Sequence, residues 1–236
     1  CKTFDIKATI FMNKSVSPLK IKATKSYGAE VILVNSNQEA DQKATEAEKN
    51  GAYFIHPFDD DQIIAGQGTV AYEALLELNE VNIDAIFAPC GGGGLLSGSL
   101  LASKIFKHKI EIIGGEPANC NDAAISLKND KLHIFEDLPP SIADAIRTLS
   151  ISEKTFLHLK NISEIIEISE DEIIYWTQWL QHLLKATAEP CSGVAMSAAH
   201  KWLEKQTKQK NILVIISNAV PLFICELPIG PLYCCF

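Results

Sequence analysis

The chain has 236 residues, of which 47% are hydrophobic and 21% are charged, with a formal net charge of −8. This balance is typical of a globular protein, and it provides no basic stripe to neutralise phosphates, which disfavours nucleic acid and anionic membranes as main partners. No stretch is long and apolar enough to span a bilayer, no secretory signal pattern is present, and the seven cysteines lack zinc-like spacing. We therefore expect a reduced, cytoplasmic protein.

Short apolar runs alternate with helical patterns along most of the chain. The runs that predict buried strands are 8–12, 30–34, 84–89, 110–115 and 212–217. The segments with helical spacing are 17–28, 37–51, 63–78, 95–107, 170–188 and 191–205. Continuous apolar strands are typical of a parallel sheet that is covered on both faces. The order of elements predicts an α/β fold with an open, mainly parallel sheet and helices on both faces.

Four consecutive glycines, Gly91 to Gly94, lie between the predicted strand 84–89 and the predicted helix 95–107. At the carboxyl end of a parallel strand, free backbone N–H groups and the dipole of the following helix form an anion site. The spacing fits neither the dinucleotide pattern GxGxxG nor the Walker pattern GxxxxGK[ST]. The chemistry favours phosphate binding over the alternative, a tight turn that allows close helix packing.

Two further positions are weaker candidates when they are taken alone. The segment GEPANCND, 115–122, is interpreted as a loop after a strand, and it carries Glu116 and Asp122. Two carboxylates among backbone carbonyls suit Mg²⁺ or Ca²⁺, although two acids in a loop are more often solvated surface groups. Ser217 ends a predicted strand, where a hydroxyl usually has no special role.

Six segments, taken in order, carry a resemblance to a known family: SYGAEVILV, HPFDDDQIIAGQGT, APCGGGGLLSG, GEPANCND, IADAIRT and EPCSGVAMSA. They resemble the serine/threonine dehydratases and serine racemases, which are pyridoxal-phosphate (PLP) enzymes of the tryptophan-synthase-β-like fold, fold type II. The resemblance runs from about residue 1 to 217. It implies that 1–51 is the remainder of the smaller domain, that 52–217 is the larger cofactor-binding domain, and that 218–236 is an atypical tail.

The resemblance also implies roles for individual residues at the cofactor. Gly91 to Gly94 and Leu95 would hold the PLP phosphate through backbone N–H groups, at a place where a side chain would collide with the phosphate oxygens. Ser217 matches the serine at the pyridine nitrogen, where a neutral hydroxyl favours elimination over transamination. Glu189 matches a carboxylate near the cofactor.

A divalent-cation site and two weaker matches follow from the same resemblance. Glu116, the carbonyl of Cys120 and Asp122 match the cation site of the Mg²⁺-activated branch. Asp144 matches the aspartate of the family's ADG segment, although Ala145 replaces the glycine. Lys185 and Asn218 match the positions that contact a regulatory nucleotide in the racemase branch.

Two family segments are absent from the 236 residues. They are SxKxRG, which carries the Schiff-base lysine, and SxGNH, which holds the substrate carboxylate. Both are expected upstream of Cys1, and SNAV stands where the family has SGGN after the last strand. The chain therefore resembles an N-terminally truncated member with an incomplete fold, and we expect it to contain no catalytic residue and to be inactive alone.

The resemblance implies an ammonia-lyase that converts small hydroxy amino acids into a 2-oxo acid and ammonia. Threonine, serine and 3-hydroxyaspartate are the candidate substrates, and the intact member is expected to be a homo-oligomer, in the simplest case a dimer. Serine racemase and 3-hydroxyaspartate dehydratase are alternatives within the family. A non-catalytic remnant that binds phosphate and a cation is an alternative from another class, and a fragment without a stable fold is a third.

Overall fold

The computed structural model describes residues 1–106, 109–185 and 187–217, except for the side chain of Asn37. The chain divides into two compact units, Cys1–Ile55 and His56–Phe236. Within the described ranges, no helix is long and apolar enough to cross a membrane.

The first unit is a small two-stranded parallel sheet with its helices. Its elements are β1 (Thr9–Asn13), α1 (Pro18–Ser26), β2 (Glu30–Val34) and α2 (Asn37–Lys49), with a short 3-10 turn at Lys2–Phe4 before β1. The register sets Thr9 opposite Glu30. The helix α2 begins where the Ser36 hydroxyl accepts the N–H of Glu39 at 3.1 Å, which satisfies one of the free donors of the first turn. Among the described side chains of this unit, Val34 alone is fully buried.

The second unit is a four-stranded, fully parallel sheet in the order β5-β4-β3-β6. Its strands are β3 (Ala85–Pro89), β4 (Glu111–Pro117), β5 (Glu164–Ile168) and β6 (Ile212–Val214). Its helices are α3 (Asp61–Glu77), α4 (Gly94–Ser103), α5 (Asp122–Asn129), α6 (Glu153–Leu159), α7 (Glu170–Leu184) and α8 (Pro190–Leu203), with a 3-10 turn at Asp144–Ile146.

The two faces of this sheet form two separate hydrophobic cores, because successive strand residues point to opposite faces. Ile86 and Ala88 of β3 pack into the core that contains side chains of α3 to α6. Ala85 and Phe87 pack into the other core, with α7 and α8. All five residues of β3 are buried. The predicted α/β class, with parallel strands flanked by helices, is confirmed.

The structure corrects several element boundaries and adds elements that the sequence patterns do not predict. Within segment 115–122 only residues 118–121 form a loop, because β4 continues to Pro117 and Asp122 is the first residue of α5. The predicted strand 212–217 ends at Val214, and the predicted helix 95–107 ends at Ser103. The unpredicted strand and α-helices are β5, α5 and α6. In β5 two glutamates interrupt the apolar run, which is tolerated because β5 is an edge strand of the described sheet.

Candidate cofactor and cation site

The candidate residues gather at the carboxyl edge of the four-stranded sheet. The chain passes from β3 through β4 to β5 on one side, and it later returns to β6 on the other side of β3. Connections that leave two neighbouring strands in opposite directions open a crevice, and open α/β sheets bind ligands in that crevice. Gly91 to Gly94 follow β3, and Ser217 follows β6 three residues beyond its end. The switch point in strand order therefore lies beside the glycine loop.

The glycine loop presents a row of backbone donors. Cys90 is fixed because its N–H donates to the Gly115 carbonyl at 2.8 Å, and Gly93, at φ +86°, is the N-cap of α4. In the described part of the chain, the N–H groups of Gly91 to Leu95 have no hydrogen-bond acceptor. Gly93 and Gly94 are buried, and a buried donor without a partner is costly. An anion at the start of α4 would satisfy these donors and meet the positive end of the helix dipole.

The Cα side of each glycine packs against other protein atoms. A Cβ atom on Gly92 would lie 2.2 Å from Cδ1 of Phe58, and one on Gly94 would lie 2.5 Å from Oε1 of Gln67. A Cβ atom on Gly91 would lie 3.0 Å from Ile146, and one on Gly93 would lie 3.0 Å from Thr155. From the sequence, the four glycines are interpreted as giving a phosphate access to the backbone. The structure adds a reason of its own, since protein atoms already occupy the space of a side chain at Gly92 and Gly94 and crowd it at Gly91 and Gly93.

Glu116 and Asp122, the predicted cation ligands, are both fully buried. The Glu116 carboxylate accepts the N–H groups of Ala123 and Ala124 at 3.1 and 3.0 Å, so it caps α5. Asp122 Oδ1 accepts the Thr148 hydroxyl at 3.2 Å, whereas Oδ2 has no partner among the described residues. Two adjacent buried acids with an unpartnered oxygen fit a bound divalent cation.

Electrostatics reinforce that fit. Burial, followed by the nearby Asp122, raises the pKa of Glu116 well above its usual range. Burial also raises the pKa of Asp122 to about 6. Both shifts mean that the two charges are poorly compensated by the protein itself. Among the described residues no group of three or more His, Cys, Asp or Glu side chains could hold a metal ion, so a cation here would depend on backbone carbonyls and water as well.

Cys120 lies between the two acids in sequence, and its side chain is fully buried. Its thiol donates to the Pro139 carbonyl at 3.4 Å, and burial raises its pKa to about 11. A neutral thiol engaged in this way is a poor metal ligand. The residue would therefore contribute its carbonyl, as the resemblance implies, and not its sulfur.

The other residues predicted for the site differ in burial and in their place within the helices and turns. Glu189 is the N-cap of α8 and is half-buried, without a side-chain cap hydrogen bond. Ser217 is half-buried. Lys185 ends α7 in the left-handed region at φ +53° and is exposed. Asp144 and Ala145 are exposed within the 3-10 turn, and Asn218 lies outside the described residues.

Three residues that contact the site have no role assigned from the sequence. Phe58 and Gln67 back the glycine loop, and Thr148 binds Asp122. Phe58 and Gln67 belong to the segment HPFDDDQIIAGQGT, which carries part of the family resemblance. That resemblance is the available signal, but it gives no reason for the two side chains.

The comparisons with known proteins agree with one another. The family model described as pyridoxal-phosphate dependent enzyme matches residues 1–218. The chain is 35% identical to a serine racemase of Schizosaccharomyces pombe, over 92% of this chain and 67% of the relative. It is also 35% identical to an L-threo-3-hydroxyaspartate ammonia-lyase of Saccharomyces cerevisiae, over 92% of this chain and 66% of the relative. It therefore spans about two thirds of the length of these curated relatives.

A solved structure gives the same result for the fold. The serine racemase of Dictyostelium discoideum superposes with a TM-score of 0.81 at 31% identity, over 92% of this chain and 69% of that one. A donor row at the sheet's switch point, a family model that matches almost the whole described chain, and a shared fold lead to one assignment. The chain belongs to the family of pyridoxal-phosphate dependent enzymes.

Proposed function

We propose that the chain is the cofactor-binding part of a PLP-dependent ammonia-lyase that converts small hydroxy amino acids into a 2-oxo acid and ammonia. The observation that carries this proposal is the row of unpartnered N–H groups from Gly91 to Leu95 at the start of α4, within the described residues. Relatives of about one-third identity that are named for hydroxyaspartate ammonia-lyase and serine racemase activity support the substrate class.

The residues present fit PLP in a specific way. The loop amides would bind its phosphate, and Ser217 would offer a neutral hydroxyl to the pyridine nitrogen, with Glu189 nearby. When it is bound, PLP withdraws electrons from the α-carbon of an amino acid. The contribution of this chain is then to hold the phosphate, to orient the ring, and to leave the ring nitrogen uncharged. An uncharged ring favours loss of a β-hydroxyl over transamination.

A divalent cation, Mg²⁺ or Ca²⁺, is proposed at Glu116, the Cys120 carbonyl and Asp122. The Oδ2 of Asp122, unpartnered among the described residues, and the two uncompensated buried acids support it. A cation there would neutralise both acids and tie the start of α5 to the end of β4. The homo-oligomer and the cytoplasmic location remain predictions.

A second function is favoured by one sequence fact. No segment of the form SxKxRG occurs in the 236 residues, so the residues that would bind PLP covalently and move the α-proton are not found. The chain by itself would then bind PLP and a cation without turnover. Serine racemase activity of a longer protein is an alternative for the same site, because one of the relatives carries that name.

The test is to titrate the purified chain with PLP and with pyridoxal, which lacks the phosphate. We expect PLP to bind at least about tenfold more tightly, a difference of about 1.4 kcal/mol. Equal affinities would contradict the proposal. Borohydride reduction followed by mass spectrometry should then show no single lysine that is labelled stoichiometrically. Release of 2-oxo acid from threonine or serine by the chain alone would contradict the prediction of inactivity, while leaving the family chemistry in place.

A further inference from the structure

We infer that Phe58 is a positioning residue for the glycine loop, because its ring holds the loop in the shape that presents its N–H groups to a phosphate. This inference rests on the proposed function, in which Gly91 to Leu95 bind the cofactor phosphate. It assigns a role to the segment HPF, which ends at Phe58 and precedes α3.

The contact between the ring and the loop is close. Three ring atoms of Phe58 lie 2.2, 2.3 and 2.5 Å from the position that a Cβ atom on Gly92 would take. The Cβ atom of Phe58 lies 3.1 Å from the corresponding position on Gly94. The ring therefore covers the loop at Gly92, and the Cβ atom of the same side chain approaches it at Gly94, on the side where side chains would project. Since Gly92 has no side chain, its backbone itself packs against the aromatic ring.

The position of Phe58 is fixed by its neighbours on either side. His56 Nδ1 accepts the N–H groups of Phe58 and Asp59 at 3.3 and 2.8 Å. The two rings, of His56 and Phe58, meet edge to face with centroids 4.7 Å apart. Gln67 of α3 donates to the Pro57 carbonyl at 3.0 Å, while its Oε1 reaches the Cα side of Gly94. The ring is thus held by contacts before and after it in the chain.

A glycine loop needs such support for a physical reason. Glycine loses more conformational freedom on ordering than any other residue. If four glycines in a row were free, a phosphate would have to order them on binding, and that cost would be subtracted from its affinity. A ring packed against Gly92 restricts the loop before the ligand arrives. Removal of the ring should weaken the binding of the phosphate and leave the rest of the cofactor unaffected.

The experiment compares the dissociation constants of PLP, pyridoxal and inorganic phosphate for the full 236-residue chain and for Phe58→Ala. We expect PLP and phosphate to bind about tenfold more weakly to the variant, and pyridoxal to change less than about twofold. Phe58→Tyr, which keeps the ring, should restore the wild-type ratio of PLP to pyridoxal affinity. Circular dichroism confirms that each variant folds, and Phe58→Leu replaces the alanine variant should that variant fail to fold.

The matched control is Phe106→Ala, at another half-buried phenylalanine, whose ring lies 6.1 Å from that of Tyr72. It lies beyond the carboxyl end of α4, whereas the loop precedes the amino end. Its ratio of PLP to pyridoxal affinity should remain that of the wild type. A ratio of PLP to pyridoxal affinity that is unchanged in Phe58→Ala, whether both affinities fall equally or neither falls, overturns the inference. If the wild-type chain itself does not prefer PLP over pyridoxal, the proposed function fails first, and the inference fails with it.

A second variant pair tests the contact itself. Gly92→Ala inserts a Cβ atom against the ring, so it should weaken PLP binding. In that background, Phe58→Ala makes room, and it should raise PLP affinity where it lowers it in the wild type. A change of sign of this kind is expected for residues that are packed together and not for distant, independent residues, whose effects add. A further loss of affinity in the double variant overturns the inference.

Discussion

The two units are built from the same kinds of strand and helix, but they bury very different numbers of side chains. Both contain parallel strands joined by helices. In the first unit, Phe4, Tyr27 and Ile6 are 78%, 64% and 60% exposed, and Val34 is the one fully buried side chain among those described. In the second unit all five residues of β3 are buried. Two strands with helices on them cannot enclose a core, whereas four strands with helices on both faces enclose two.

A further difference lies in the acids. The acids of the first unit are exposed or half-buried, whereas the second unit fully buries Glu116 and Asp122 beside one another. Burial of like charges costs stability, so the candidate site is built where the surrounding cores are large enough to tolerate that cost. Stability and the candidate chemistry therefore reside in the same unit.

The largest effect is expected from Phe87→Ala, which would destabilise the second unit, the better packed of the two. Phe87 is fully buried, and its ring meets that of Trp202 with centroids 5.6 Å apart. Truncation of a buried phenylalanine costs about 3–5 kcal/mol, from lost burial and the cavity that remains. Denaturant unfolding followed by tryptophan fluorescence measures this cost, because all three tryptophans lie in the second unit. The control, Phe4→Ala at an exposed position, should change it by less than about 0.5 kcal/mol.

A smaller effect is expected from Asp122→Asn, which would remove one of the buried charges. Since the folded-state pKa of about 6 lies above the ordinary value of 3.8, the folded chain holds this proton more tightly than the unfolded chain. Its contribution to stability is therefore present below about pH 4 and is lost as the pH rises through 6. Without divalent cations, the free energy of unfolding of the variant, measured with denaturant, should match that of the wild type at pH 4. At pH 8 it should exceed that of the wild type by about 2 kcal/mol.

Two further measurements sharpen that result. Asp41→Asn, at an exposed aspartate in the first unit, is the control and should leave the pH dependence unchanged. Mg²⁺ or Ca²⁺ added at pH 8 should stabilise the wild type and not Asp122→Asn. A wild-type stability that rises between pH 4 and pH 8 relative to Asp122→Asn would contradict the assigned direction of the pKa shift.

The smallest effect comes from one chemical change made in both units. Ser36→Ala removes the cap of α2, and Ser169→Ala removes the capping box of α7, where Ser169 and Glu172 bind each other reciprocally. Each loss should cost about 1 kcal/mol. Ser169→Ala should lower the fluorescence midpoint. Ser36→Ala should reduce helicity in the far ultraviolet and leave that midpoint in place. If both variants lower the midpoint equally, the two units unfold together.

Much of this fold is predictable from local patterns. The strands of the sheet core are continuous apolar runs, so the predicted bounds of β3 and β4 lie within two residues of the observed ends. The strand β5 escapes prediction because Glu164 and Glu167 break its apolar run, and only its pairing with β4 reveals it. The start of α5 is interpreted from the sequence as part of a loop after a strand, although an acidic residue such as Asp122 is equally common in the first turn of a helix.

The part of the candidate site that depends on the backbone and on residues adjacent in sequence is predictable. A row of glycines before a helix indicates an anion site by itself. The contact of Phe58 with Gly92 joins residues that are far apart in sequence, and no local period reports it. The unpartnered oxygen of Asp122 likewise depends on which of the described groups surround it in space. Such features follow from tertiary packing, which residue patterns do not specify.

The pairing of β3 with β6 also sets how late in synthesis the four-stranded sheet can be completed, because β6 is its last strand in the sequence. At its start, the N–H of Asn211 donates to the Asp84 carboxylate, across 127 positions of sequence. A ribosome that adds about 5–20 residues per second needs on the order of ten seconds to make that interval. Throughout that time β3 lacks one neighbour, and the apolar edge beside the glycine loop is open to other chains. Mutations that slow the arrival of β6 should therefore increase aggregation of the nascent protein without altering the folded state.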